Sequence, residues 1–137
     1  MGVFTLGHST RPTSDFLEKL RENNISLVID IRSKPYSRWV PQYNKNQLSQ
    51  TLVDNKIRYL FRGDNLGGIK ANNGFDKAIE EVVLLSKTDN LVLLCSEGDY
   101  KKCHRYTAVA PALEKKGAVV QHLVWEKTAT KCRKIDD

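Results

Sequence analysis

Four kinds of reactive side chain follow the apolar segment 91–94. The thiol of Cys95 could act as a nucleophile, and the carboxylate of Glu97 and the imidazole of His104 could transfer protons. The guanidinium of Arg105 could hold a phosphate or a carboxylate through paired hydrogen bonds. A nucleophilic cysteine needs a nearby cation or a helix N-terminus to favour its thiolate. His104 and Arg105 meet that need because a helix is predicted to begin there, whereas Glu97 opposes it.

Other polar residues follow further apolar segments, as Gly7-His8-Ser9 follows residues 3–6 and Asp30 ends residues 27–30. Ligands of open parallel sheets bind beyond the carboxyl ends of the strands, so we expect these residues to share one site. The candidate catalytic residues are His8, Asp30, Cys95, Glu97 and His104. The candidate ligand-binding residues are Ser9, Arg32, Ser37, Arg38, Gly67, Gly68 and Arg105.

Each candidate also has a purely structural interpretation. His8 could hydrogen-bond across a turn, and Asp30 could be a buried acid paired with a neighbouring arginine. Cys95 could be an inert core residue, since free cysteine is among the most buried residue types. Cys103 is predicted to be structural unless it lies beside Cys95. The glycine pair 67–68 could form a tight turn instead of approaching a ligand.

Strand and helix patterns alternate along the chain. The predicted strands are 3–6, 27–31, 57–61, 91–95 and 118–124. The predicted helices are one that begins near residue 13 and carries Phe16 and Leu20, then 47–55, 75–85 and 104–116. This alternation predicts the α/β class: a single three-layer domain with a mostly parallel sheet of about five strands and helices on both faces.

Length and composition exclude several classes of protein. The 137 residues suit one domain over 1–137, with 126–137 as a short polar tail. Hydrophobic residues make up 40% and charged residues 28%, which excludes a disordered chain. No apolar run is long enough for a bilayer, and the start lacks the features of a signal peptide. Three cysteines without an export signal favour reduced thiols, so we predict a cytoplasmic protein without a membrane partner.

The charge distribution is uneven. The net charge is +6, and no acidic residue occurs between Asp30 and Asp54. Basic and aromatic residues alternate in that interval, namely Arg32, Lys34, Tyr36, Arg38, Trp39, Tyr43 and Lys45. Such alternation suits phosphate contact with base stacking, as in proteins that bind single-stranded nucleic acid. The alternative is a solvated basic loop whose aromatic residues pack onto the core.

The order of the motifs resembles a known family. The chain shows Gly7-His8-Ser9, the segment 30–38 as D-x-R-x-x-P-x-S-R, Leu66-Gly67-Gly68, Cys95-Ser96-Glu97 and Cys103-His104-Arg105. This pattern is similar to that of the domain-of-unknown-function family numbered 488, from the first strand to the fourth helix. The resemblance implies that these residues form one shared site, and it brings no established reaction.

Three functions fit these residues. The first is a hydrolase or transferase acting on a phosphate-bearing substrate, such as a nucleic acid, with Cys95 as the nucleophile. The second is a rhodanese-like sulfurtransferase that carries a persulfide on Cys95, although Tyr100 stands where arginine or threonine is expected. The third is a non-catalytic nucleic-acid-binding module. Because Cys95 ends a strand at the open crevice, we expect it to react with iodoacetamide faster than Cys103.

No metal or cofactor is predicted. Cys95, Cys103 and His104 could join His8 or Glu97 around zinc, but their spacing matches no standard zinc site. The signature of the zinc deaminases is absent. The sequence also lacks a P-loop and a dinucleotide-binding fingerprint, so no bound nucleotide cofactor is expected. The predicted partner is a phosphate-bearing ligand, for which single-stranded nucleic acid is one candidate.

Overall fold

The structure, a computed structural model, describes residues 2–67, 74–103 and 105–125. Five strands form one parallel sheet in the order β3-β2-β4-β1-β5. They are β1 (Val3–Gly7), β2 (Leu27–Asp30), β3 (Arg58–Phe61), β4 (Leu91–Cys95) and β5 (Val120–His122). The predicted α/β class and five-stranded sheet are confirmed, and every strand lies where an apolar run predicted it.

The helices connect successive strands. They are α1 (Thr13–Glu22), α2 (Lys45–Asp54), α3 (Gly63–Leu66), α4 (Phe75–Leu85) and α5 (Ala110–Lys115). Two 3-10 turns, Pro41–Tyr43 and Tyr100–Lys102, and one π-helical turn, Arg105–Val109, complete them. None of the helices in the described ranges is long and apolar enough to cross a membrane.

The predicted helix 104–116 is wrong in its first half. A π-helical turn over Arg105–Val109 replaces the α-helix, which begins only at Ala110. Pro111 explains the boundary because it has no N–H to donate to the preceding turn, and proline fits the first turn of a helix. His104 lies outside the described residues. The predicted polar tail, 126–137, lies outside them as well.

Two apolar layers cover the sheet. Phe16 and Leu20 of α1 and Leu48 and Leu52 of α2 pack on one face, while α4 and α5 pack on the other. Side chains of β4 alternate between these layers, and the whole strand is buried. A strand covered on both faces reads as a continuous apolar run, which accounts for segment 91–94.

The connections leave β1 and β4 in opposite directions. The chain after β1 leads to α1 on one face, and the chain after β4 leads to α5 on the other. These strands are neighbours, so their carboxyl ends border a crevice of the kind in which α/β proteins bind ligands. Backbone pairing continues beyond the strands, since Ser9 N donates to Ser96 O at 2.9 Å.

Candidate functional site

Asp30 is a fully buried carboxylate at the end of β2. Its Oδ1 accepts from Arg32 Nε at 2.8 Å and from Arg32 N at 3.1 Å. Its Oδ2 accepts from Arg32 Nη2 at 2.7 Å and from Tyr59 Oη at 2.6 Å. Burial and the Asp30 carboxylate raise the pKa of Tyr59, so its hydroxyl stays protonated and donates. Each carboxylate oxygen thus uses both of its lone pairs, which describes a satisfied ion pair and not a free base.

His8 joins the same network from β1. Its Nδ1 lies 2.7 Å from the Ser9 carbonyl oxygen, which only accepts, so the ring proton is assigned to Nδ1. Its Nε2 then accepts from Arg32 Nη1 at 3.3 Å. The pKa of His8 is lowered to about 4, chiefly by burial and then by the Arg32 charge, although the hydrogen bond to the Ser9 backbone and the Asp30 charge partly oppose this. The imidazole is therefore neutral at pH 7, stacked 4.3 Å from the ring of buried Tyr43.

Cys95 and Cys103 form a thiol pair at the end of β4. The Cys103 thiol donates to the Cys95 sulfur across 3.1 Å. Cys95 is only 2% exposed and Cys103 is partly buried. The contact with Cys103 and burial raise the pKa of Cys95 well above its ordinary value, while Arg105 lowers it by less. Cys95 is therefore a protonated thiol at neutral pH. It is also more buried than Cys103, which is the opposite of the exposure from which we expected Cys95 to react faster with iodoacetamide.

Arg105 is a fully buried cation behind this pair. Its Nη1 donates to the Glu97 carbonyl oxygen at 3.0 Å. Within the described ranges, neither its Nε nor its Nη2 has a hydrogen-bond partner. The guanidinium lies against Gly7, where an added Cβ would stand 2.7 Å from Nη1 and 1.7 Å from the Glu97 oxygen. Position 7 thus requires glycine because a side chain would displace Arg105 or the loop after β4.

A cavity of about 300 Å³ opens between the ends of β2 and β4. Its lining residues are Arg32, Ser33, Lys34, Cys95, Ser96, Glu97 and Cys103. Two of these are cations. The Glu97 carboxylate accepts from Asp99 N at 2.9 Å, which holds the following turn. The arrangement provides a polar recess with two thiols in its wall. Arg32 is already paired with Asp30 and Glu97 is an anion, so Lys34 is the cation of the lining to which an anionic group could bind.

A larger cavity of about 600 Å³ lies at the other end of the sheet. Its lining includes Lys87 and Lys116, but no acid, thiol or imidazole. Size alone therefore does not mark the site. The smaller cavity is the better candidate because buried Arg32, the two thiols and the Glu97 carboxylate line it.

The basic loop, residues 31–44, extends from that cavity to α2. The Ser37 hydroxyl accepts from Trp39 N at 3.0 Å, and Ser37 N donates to Asn44 Oδ1 at 2.6 Å. Trp39 is 81% exposed and Tyr36 is 63% exposed, whereas Tyr43 is fully buried. Packing of aromatic residues onto the core is therefore confirmed for Tyr43 and wrong for the other two. The Arg38 guanidinium carbon lies 5.3 Å from the Trp39 ring centroid.

The candidate residues lie in three separate regions of the structure. His8, Asp30 and Arg32 meet in one network, and Cys95, Glu97 and Arg105 meet around the loop after β4. Ser37 and Arg38 lie in the basic loop and do not line the cavity. Ser9 adopts a left-handed backbone with φ 53° and pairs with Ser96. His104 and Gly68 lie outside the described residues.

Gly67 has a packing role. A Cβ there would stand 2.5 Å from Gly63 O and 2.8 Å from Ser33 N. Glycine lets the end of α3 rest against the backbone that follows β2, so this residue supports the cavity wall formed by Ser33. The structure offers no ligand contact for it.

Tyr59 is the main functional residue that the sequence reasoning missed. Phe61 pairs with Asp30 across the parallel strands, and side chains two residues apart share one face of a strand. Tyr59 therefore lies on the same face of the sheet as Asp30. The sequence does not give the register of β2 and β3, so it could not reveal this. Ser33 and Ser96, which line the cavity, were also missed, whereas Lys34 was expected only as part of the basic interval. In the part of the chain that the structure describes, no three His, Cys, Asp or Glu side chains group closely enough to hold a metal ion.

Comparison with known proteins finds a family of unknown function for part of the chain. Residues 12–73 match the family described as domain of unknown function DUF488, the same family that the motifs resemble. The matched segment includes the Asp30–Arg38 motif and excludes the Gly7-His8-Ser9 motif and the region 95–105. No curated protein and no solved structure matches the chain.

Proposed function

We propose that this chain, whose residues 12–73 belong to a family of unknown function, binds single-stranded nucleic acid along its basic loop. In this proposal bases stack on the exposed aromatic rings, and phosphates contact the adjoining cations and enter the cavity. The observation that carries it is the 81% exposure of Trp39 beside Arg38, in a segment with no acidic residue.

Exposed aromatic rings support base stacking. Soluble proteins bury large aromatic side chains, so two exposed rings in one loop call for a partner. Stacking of a base on such a ring contributes about 1–3 kcal/mol and tolerates any base. Ser37 holds the backbone at Trp39 through its hydroxyl, so the loop presents this ring in a defined conformation.

The cations of the loop support phosphate contact. Lys34 lines the cavity, and Arg38 lies beside Trp39, so both are within reach of a strand stacked on the ring. Lysine or arginine contacts with phosphate release counterions, which makes the binding sensitive to salt. The chain as a whole carries a net charge of +6, which favours encounter with a polyanion.

Binding is better supported than hydrolysis or group transfer. The Asp30 carboxylate is fully hydrogen-bonded, and the neutral His8 already accepts from Arg32. Cys95 is a protonated thiol in contact with Cys103. A nucleophilic or sulfur-carrying Cys95 would need a thiolate, so the sulfurtransferase and the cysteine-dependent hydrolase have less support than the binding module.

Fluorescence anisotropy with a labelled single strand tests the proposal. We expect Trp39→Ala to weaken binding by about 5- to 150-fold, which corresponds to one lost stacking contact. Arg38→Gln and Lys34→Gln should each reduce the slope of log K against log salt by about 0.7, the value for one phosphate contact on a single strand.

Matched controls lie at the opposite end of the sheet. Val119→Ala removes another exposed apolar side chain, and Lys87→Gln removes a cation of the larger cavity. Both should leave affinity and salt slope unchanged. Equal losses in Lys87→Gln and Lys34→Gln would mean that net charge alone attracts the strand. Unchanged affinity in Trp39→Ala would refute stacking on the loop.

A further inference from the structure

The two thiols at the cavity wall are held together by their surroundings. Cys95 ends a buried strand, and its sulfur lies 3.1 Å from that of Cys103. A disulfide bond is about 2.05 Å long, so the sulfurs need to approach by roughly 1 Å.

The 3-10 turn Tyr100–Lys102, which leads to Cys103, is held at its start by two contacts. The Asp99 side chain accepts from Lys101 N at 3.1 Å and caps that turn. The Tyr100 ring stacks on His122 of β5, with 4.5 Å between centroids and 4° between planes. These contacts place Cys103 over Cys95 as a built feature of the fold.

The two cysteines differ in access and share a nearby cation. Cys103 is partly exposed and lines the cavity, so a small solute can reach its sulfur first. Cys95 lies deeper, beside Arg105, whose charge favours loss of the Cys95 proton against the effects of Cys103 and burial. Buried polar groups without partners are rare, and an anionic sulfur would be a suitable neighbour for the two unpartnered nitrogens of Arg105.

We propose that Cys95 and Cys103 form a reversible disulfide when a hydroperoxide enters the cavity. The Cys103 sulfur attacks the peroxide, the O–O bond breaks, and Cys103 becomes a sulfenic acid while an alcohol or water leaves. The Cys95 sulfur then attacks the sulfenic sulfur, the S–O bond breaks, and the hydroxyl leaves as water with the Cys95 proton. The two thiols together lose two electrons and two protons, which the peroxide takes up as its two oxygens leave as an alcohol (or water) and a water.

The evidence for this redox site does not depend on nucleic-acid binding, because it comes from the thiol pair and not from the basic loop. Both sulfurs line the cavity together with Arg32 and Lys34, so the disulfide alters the wall of the same recess. An oxidised chain therefore differs from the reduced chain where an anionic group would enter.

Intact mass and peptide mapping test the proposal in the full chain. Cys132→Ser provides the background, because this third cysteine could form other pairs. Hydrogen peroxide should lower the mass by about 2 Da, the two thiol hydrogens, and dithiothreitol should restore it. Trypsin cleaves after Lys101 and Lys102, so the disulfide would join peptide 88–101 to peptide 103–105.

Single variants supply the control. Added Cys95→Ser or Cys103→Ser should abolish the 2 Da loss. Cys103→Ser changes a partly exposed residue, so it tests the pair even if Cys95→Ser fails to fold. The proposal is overturned if two alkylatable thiols remain after peroxide treatment of the folded background protein. It is also overturned if the disulfide links two chains, which a non-reducing gel shows as a dimer.

Discussion

Two buried arginines flank the crevice, and their surroundings are opposite. Arg32 donates from four nitrogen atoms, to Asp30 and to His8, so its charge is neutralised at short range. Arg105 donates from Nη1 to the Glu97 carbonyl, while its Nε and Nη2 have no hydrogen-bond partner in the described ranges. The difference teaches that burial alone does not define a role. Arg32 belongs to a hydrogen-bonded ion-pair network. The Arg105 guanidinium is buried with two nitrogen atoms that have no hydrogen-bond partner among the described residues, so an anion could bind to it.

The largest expected effect comes from removing the two guanidinium groups in turn. Arg32→Met leaves the Asp30 carboxylate buried without its cation, so we expect the free energy of unfolding to fall by about 3–5 kcal/mol. Arg105→Met removes a charge with no carboxylate partner among the described residues, and we expect a change below about 1 kcal/mol. Urea unfolding of both variants measures the difference. Equal losses would show that the two arginines have the same structural role.

The next effect is a pH dependence that belongs to the Arg32 side of the comparison. The pKa of His8 is lowered from 6.5 to about 4 in the folded chain. Between these values the unfolded chain takes up a proton that the folded chain does not. Stability is therefore complete above pH 6.5 and falls by up to about 3 kcal/mol as pH drops to 4.

Urea unfolding across this pH range checks the sign and the residue. His8→Gln should flatten the dependence, because glutamine does not titrate. Arg105→Met should retain it, since Arg105 is not among the groups that shift His8. A wild-type protein whose stability rises as pH falls would contradict the assignment of a neutral His8.

A smaller effect tests how completely the Asp30 network is satisfied. Tyr59→Phe removes one hydrogen bond to a charged group, and we expect a loss of about 1.5–3 kcal/mol. The ring remains in place, so packing is unchanged. A loss as large as that of Arg32→Met would mean that the tyrosine hydroxyl, and not the ion pair, stabilises the carboxylate.

The smallest effect sharpens the Arg105 side. In the Cys132→Ser background we expect iodoacetamide to modify Cys103 before Cys95, because Cys103 is the more exposed. Cys103→Ala should lower the pKa of Cys95, and Arg105→Met should raise it further. Mass spectrometry of alkylation at a fixed pH follows both changes. Lys87→Gln, at the opposite end of the sheet, should leave the rate at Cys95 unchanged.

The strands were predictable because burial on both faces leaves a continuous apolar run, as in residues 91–94. The motifs following β1, β2 and β4 were predictable because parallel strands bring their carboxyl ends to one edge. The first turn of the fourth helix was not, since a π-helical turn has no simple periodic signal and Pro111 sets the boundary. The local sequence pattern therefore predicted the strands and helices of the layers better than the segments that connect them.

Within the site, the type of each residue was more predictable than its partner. The sequence suggested that Asp30 could pair with an arginine, and the structure shows that pair. It left open whether Cys103 lies beside Cys95, because that contact depends on the turn at Tyr100 and its stacking on a distant strand. Long-range contacts decide which thiol is accessible.

The strand order has a consequence for how the chain is made. Both neighbours of β1, which are β4 and β5, come after residue 90, and β4 also separates β1 from β2. During synthesis the first strand therefore waits unpaired until most of the polypeptide has left the ribosome. Residues 12–73, the segment that matches the family, hold only β2 and β3 and cannot complete the sheet alone. Late insertion of a central strand slows folding and exposes apolar edges, so a nascent chain that stops before residue 91 is a substrate for chaperones.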